Sequence, residues 1–248
     1  LSQDESNNIG NFIKVRNGNF ATLVWNDEYT KQSLKFWNTD SMALDTDATE
    51  LPEGNTISNG SFYSGGSYSD FVVVGTGGSD IYTYNVGDTE PTLLMSLIDS
   101  DLNISMSQIC MIDATHFVAI YSDQVNWDTH VGYFTKVDPK DIQDKQLISL
   151  AGMWIPSDMK NRIVEFNKKN EQYRIQIKEY ESYSTTDYMA GYTQLNNDII
   201  AGNMPDILLV DSNMPFESYV AKGLIADIYP LIDEDPELNR EDYLQNVM

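Results

Sequence analysis

Between Gln146 and Gly223 the apolar pattern switches three times from the period of a strand to that of a helix. Few folds accommodate that alternation. A strand that rejoins its sheet through a helix runs parallel to the strand it left. Gln146-Leu147-Ile148-Ser149-Leu150-Ala151 is a short apolar strand ending at Gly152. Ser157 and Asp158, with Pro156 just ahead, open a helix whose Met159, Ile163 and Phe166 share one face. Lys168 and Lys169 stand at its C-terminal end, where cations are favoured. Tyr173-Arg174-Ile175-Gln176-Ile177 alternates as a second strand. Tyr188, Tyr192, Leu195 and Ile199 mark a second helix, which Gly202 stops. Ile207-Leu208-Leu209-Val210 is a continuous apolar run, as expected of a strand buried on both faces. Pro215 and Gly223 bracket a third helix. The order predicts a mainly parallel sheet with right-handed crossovers.

Residues 1–145 read differently, as strands and turns. Three segments share a strand–turn–strand form in which a Phe opens the second strand. They are Phe12-Ile13-Lys14-Val15 before Phe20, Ser61-Phe62-Tyr63 before Phe71, and Ile109-Cys110-Met111-Ile112 before Phe117. Each is followed by another alternating run, at 32–37, 80–84 and 130–137. Asn17-Gly18 suggests a type I′ turn in the first hairpin. The Phe positions are spaced on the order of 45–50 residues, near the blade length of a β-propeller. The expected organisation is therefore an antiparallel, all-β, propeller-like domain over 1–145, then an α/β domain over 146–248. Three blades do not close a ring of typically ~4–8, and an irregular β-sandwich is the alternative.

The formal charge of −23, spread over both halves, repels phosphate backbones and anionic headgroups, which argues against nucleic acid and membrane surfaces as partners. A 41% apolar content suffices for packed cores. The single cysteine, Cys110, lies in an apolar run and is expected to be a buried small hydrophobe. No run of 18 apolar residues occurs, so no inserted segment is expected. Leu1-Ser2-Gln3-Asp4-Glu5 does not read as a signal peptide, so an export signal is expected to have been removed or never present.

In an open parallel sheet, ligands bind beyond the carboxyl ends of the strands. That rule points to the loops after Leu150 and Val210. Trp154, in the first loop, offers a flat apolar face suited to a sugar ring, or else a core aromatic. Asp211, Ser212 and Asn213, in the second, can pair with hydroxyls, although Asp211 also suits a helix cap. Tyr180, Tyr183 and Tyr188 flank the loop after the second strand, as candidate cleft residues or as solvated ones.

Other motifs carry less. Asp99-Ser100-Asp101-Leu102-Asn103 begins like a calcium loop but has Ile104 where the sharp turn needs Gly and Cys110 where a bidentate Glu belongs. Asp45-Thr46-Asp47 and Asp233-Glu234-Asp235 fail likewise. Gly75-Thr76-Gly77-Gly78 places Asp80 where a dinucleotide fingerprint needs its last glycine, and reads as a hairpin turn. His116 and His130 lack zinc-ligand spacing. No metal, cofactor or catalytic residue is expected, and no acid pair stands out among the 38 acidic residues.

Leu150-Ala151-Gly152-Met153, the helix ending Phe166-Asn167-Lys168-Lys169-Asn170, and Gly202-Asn203-Met204-Pro205-Asp206-Ile207 resemble the opening of extracellular solute-binding proteins of ABC sugar importers. Ala221-Lys222-Gly223-Leu224-Ile225-Ala226-Asp227-Ile228 resembles the stretch that follows. The resemblance covers residues ~146–248 and is similar in element order and spacing. It implies the first of two α/β lobes that clamp a ligand, with the chain ending inside that lobe. It further implies non-catalytic capture of an oligosaccharide, importer membrane subunits as partners, and a lipid-anchored place at the cell surface. The whole arrangement also resembles larger cell-surface binding proteins in which a β-rich region precedes the binding domain. The alternatives are a propeller-type recognition or scaffolding module and a secreted glycan-degrading enzyme.

Overall fold

A computed structural model of the chain describes residues 10–26, 28–29, 31–52, 56–75, 78–138, 144–181 and 187–239. The chain divides into one compact unit, Leu1–Leu209, and a smaller one, Val210–Met248. No described helix is long and apolar enough to cross a membrane.

Three antiparallel sheets follow one another in the first unit, and none closes into a barrel. The first holds β1 (Ile13–Lys14), β2 (Phe20–Trp25), β3 (Gln32–Asn38), β4 (Ala43–Leu44) and β5 (Thr49–Glu50), with β4 and β5 both paired to β3. The second is a meander of β6 (Ser61–Ser64), β7 (Phe71–Val74), β8 (Asp80–Tyr84) and β9 (Thr92–Ser96). The third holds β10 (Ile104–Met111), β11 (His116–Asp123) and β12 (Thr129–Thr135).

Side-chain alternation stacks these sheets. Phe62, Phe71, Val73 and Tyr84 share a core with Ile13, Ala21 and Leu34 of the first sheet. Val72, Val74 and Ile81 face the other way, into a second core with Met106, Ile109 and Phe117 of the third. The second sheet is thus covered on both faces, and all four residues of β7 are buried. An antiparallel strand in this position reads as an unbroken apolar run, as a strand covered on both faces must.

Several expectations need correction. Cys110 is exposed, because its neighbours Ile109 and Met111 point into the core and strict alternation turns it outward. It shares the outer face of the third sheet with Ile120, Val131 and Tyr133, all exposed. The first hairpin is not closed by a type I′ turn. Only Gly18 of the Asn17-Gly18 pair has positive φ, at 89°, and its N–H bonds to Val15 O at 2.9 Å. That is a three-residue loop ending on a left-handed glycine. The recurrent Phe is not equivalent in its three settings. Phe71 and Phe117 are buried, whereas Phe20 is exposed and Ala21 takes the inward place.

The last part of the first unit is a parallel sheet: β13 (Gln146–Gly152), α1 (Ser157–Lys169), β14 (Tyr173–Glu179), α2 (Ala190–Ile200) and β15 (Ile207–Leu208). β13 is central and runs parallel to both neighbours, in the order β14-β13-β15. Leu150, Ile155 and Ile163 form its core, with Met159, Ile175 and Ile177 packed against it. Tyr192 and Leu195 are buried on α2, but Tyr188 precedes that helix and is 67% exposed. The run at 207–210 is not buried on both faces. Ile207 is 43% and Val210 38% exposed, because β15 lies at the sheet edge and only two residues enter the ladder.

The β-rich part and this parallel sheet meet through polar side chains. Arg174 on β14 reaches Asp101 Oδ2 at 2.7 Å and Asp99 O at 2.5 Å. Asn167, 2% exposed near the end of α1, donates from Nδ2 to Asp101 Oδ1 and Ile175 O and accepts Ile175 N at Oδ1. Lys145 Nζ donates to the Asn167 carbonyl at 2.7 Å. Asn103 Nδ2 lies 2.8 Å from Asn161 Oδ1 and 3.1 Å from Ser157 O. The acidic turn at 99–101 that begins like a calcium loop is therefore filled by an arginine.

In the second unit, α3 (Phe216–Ala221) and α4 (Tyr229–Glu234) bury Tyr219 and Ile232, and Met214 is buried ahead of them. Pro215 stands one residue outside α3, at its N-cap.

Candidate functional site

A strand order of second-first-third reverses direction at the first strand. The carboxyl ends of β13 and β15 therefore flank the crevice where ligands bind in open parallel sheets. Asp206, from the Gly-x-x-Pro-Asp-Ile element, fixes that pair of strands. Its Oδ2 accepts from Ser149 N at 2.8 Å and Ser149 Oγ at 2.7 Å, and its own N–H donates to Ser149 Oγ at 2.9 Å. These bonds hold the Asp206 carboxyl below its ordinary range. At the other end, a Cβ on Gly152 would stand 3.0 Å from Ile155 Cδ1 and 3.1 Å from Leu209 Cβ. Glycine lets the end of β13 pass its neighbours that closely.

The loop after β13 is sorted by burial. Met153 and Ile155 point into the core, and Trp154 between them is 56% exposed. Trp154 is thus not a core aromatic. The loop is pinned on both sides. Tyr180 N bonds to Gly152 O at 3.0 Å and Glu181 N to Met153 O at 2.9 Å. Glu179 at the end of β14 accepts Ile155 N at 2.8 Å with one oxygen and Lys160 Nζ at 2.7 Å with the other. The indole is displayed from a fixed backbone.

Trp154 and Lys160 line a cavity of about 210 Å³ together with Asn103, Ser79, Ser105 and Gln124. A larger depression of about 430 Å³ runs along Arg162, Glu165 and Lys169. Only the surface of α1 and the residue after it forms that second hollow, so it lacks an opposing wall.

The remaining expected site residues are placed as follows. Tyr188 is exposed, its ring 5.8 Å from that of Tyr192, and it does not line the Trp154 cavity. Tyr183 lies outside the described residues. Tyr180 is buried at 1% exposure, and its hydroxyl donates to Asp198 Oδ2 at 2.5 Å, which makes it a packing residue. Lys178 also reaches Asp198 at 2.6 Å, and both contacts hold the Asp198 carboxyl low. In the second unit, Asp211 Oδ1 accepts Asn213 N at 2.8 Å, and Met214 N bonds to Asp211 O at 3.2 Å. Asp211 closes this turn. It is not the cap of α3, which has no side-chain cap bond. Ser212 and Asn213 are exposed.

Sequence reasoning missed Glu179, Asn103 and Gln124. Nothing in periodicity marks a glutamate at a strand end as a clamp, and Asn103 was visible only as the tail of an unsuccessful calcium loop. The groups in the cavity wall can donate and accept hydrogen bonds beside an aromatic face. No group of three or more His, Cys, Asp or Glu suited to a metal ion occurs among the described residues. No known protein family, curated protein or solved structure matches this chain.

Proposed function

We propose that this chain belongs to the substrate-binding component of an ABC importer, which captures a neutral oligosaccharide outside the cell without transforming it. The observation that carries the reading is Trp154, an exposed indole carried on a hydrogen-bonded backbone at the carboxyl end of the central strand of a parallel sheet. Indole faces pack against the CH faces of sugar rings, and the neighbouring amide and hydroxyl groups suit ring hydroxyls. In this reading, residues 146–248 form part of an α/β binding lobe, and Asp211, Ser212 and Asn213 are candidate polar contacts of the second unit taken by itself. The importer's membrane subunits are its partners, and a lipid anchor holds it at the cell surface. The stacking of three antiparallel sheets supports a propeller-like arc for the β-rich part.

Thermal-shift and calorimetric titration of the intact protein with a panel of neutral oligosaccharides tests this. A true ligand at a hundredfold excess over its Kd stabilises the fold by about 2.7 kcal/mol. No response to any member of a broad panel overturns the reading, and turnover of a bound glycan replaces it with an enzymatic one.

A further inference from the structure

The cavity beside Trp154 is lined by residues from two parts of the first unit, one of them the β-rich part. Ser79 precedes β8, Ser105 lies on β10 and Gln124 follows β11, whereas Trp154 and Lys160 come from the loop after β13 and from α1. Among the described residues, no hydrogen bond within the protein engages the side chains of Ser79, Ser105 or Gln124. The only charged group in the lining, Lys160, is paired with Glu179 at 2.7 Å. In a chain of net charge −23, this leaves an uncharged polar hollow next to an exposed indole. Glu179 already offsets the one cation in the lining, and a cationic ligand finds no carboxylate there. A neutral molecule with many hydroxyls finds donors, acceptors and a flat apolar face.

Size narrows the ligand further. The cavity measures about 210 Å³. That is below the ~300–1,000 Å³ of pockets that enclose a whole drug-sized ligand. The hollow therefore suits one ring of a longer glycan, with the rest of the chain outside it.

We propose that the β-rich part is half of a glycan subsite, in which Gln124, Ser105 and Ser79 hydrogen-bond a single neutral sugar ring stacked on Trp154. This rests on the carbohydrate reading above and adds that ligand choice depends on residues before 145. Asn103, in the cavity lining, ties the β-rich part to Ser157 and Asn161 of α1.

The test uses the intact protein carrying Gln124→Ala with Ser105→Ala, and separately Trp154→Ala, titrated by calorimetry with neutral oligosaccharides of increasing length. These side chains are at least partly exposed, so melting temperatures in the absence of sugar are expected to stay at the wild-type value. The double variant is expected to bind roughly tenfold more weakly, from two lost hydrogen bonds, and Trp154→Ala at least as much. If the wild type binds glycans and both variants bind them equally well, the proposal is overturned while the solute-capture reading stands. If the wild type binds none, the capture reading fails and takes the subsite with it.

Discussion

Single side chains set how the pieces of this protein are joined. Asn167 satisfies both the N–H and the carbonyl of Ile175 and also reaches Asp101, from a position shut off from water. Asn167→Ala leaves those groups unpaired and is expected to lower stability by about 1–3 kcal/mol, read from urea unfolding. An unchanged midpoint would mean that water replaces the amide. Trp154 presents the opposite case. Its indole is more than half exposed, so Trp154→Ala is expected to change stability by only about 0.5 kcal/mol while sugar affinity falls. Comparison of denaturation and binding in the same variant separates the two effects. Of the expected site residues, Trp154 left two readings open in the sequence, a ring-binding face or a core aromatic, and its exposure disposes of the second. The role of Asn167 was not legible, since a polar residue near a helix end ordinarily faces solvent.

Elements carry a second kind of information. The resemblance drew attention to Gly202-Asn203-Met204-Pro205-Asp206-Ile207, and the structure gives its aspartate a mechanical task, to fasten β15 to β13 through Ser149. Those bonds hold the carboxyl below its ordinary value. Its contribution is therefore complete above the unfolded value and is lost as pH falls through the lower folded one. Stability measured against pH should lose this component only below about 3.8, and Asp206→Asn should remove it from the profile. Retention of the same acid slope in the variant would place the titrating group elsewhere. The helices were legible from their apolar faces, with the boundary of α2 displaced past Tyr188. The facing of the hairpins was not, because a shift of one residue exchanges the two sides of a strand and leaves the sequence pattern intact. Cys110 fell to that ambiguity.

At the scale of the molecule, the first unit extends to Leu209, so the change of pattern near residue 145 falls inside one compact body. Arg174 bridges the two patterns, with its side chain and that of Asp101 each only about one-fifth exposed. Arg174→Ala is expected to cost about 1–3 kcal/mol and to lower the unfolding midpoints of both parts together. Hydrogen exchange followed separately in β7 and α1 checks this, and independent midpoints would refute the coupling. A net charge of −23 also repels itself, so added sodium chloride should raise the melting temperature as the charges are screened. A salt-insensitive melting temperature would mean that local pairs already offset the repulsion.

Local periodicity marked most of the longer strands and helices, though not β4, β5, β9 or α4, and the strand–helix alternation called for parallel pairing of β13 with β14. Two four-residue apolar runs mark the limit of that information. Phe71-Val72-Val73-Val74 is buried on both faces, while Ile207-Leu208-Leu209-Val210 is partly open to solvent. Their compositions are alike. Only tertiary structure distinguishes them, because burial depends on what lies against each face, and here that was one sheet on either side of β7 and a sheet edge at β15. The same reason explains the cavity: Ser79, Ser105, Gln124 and Trp154 are distant in sequence, and packing alone brings them to one hollow.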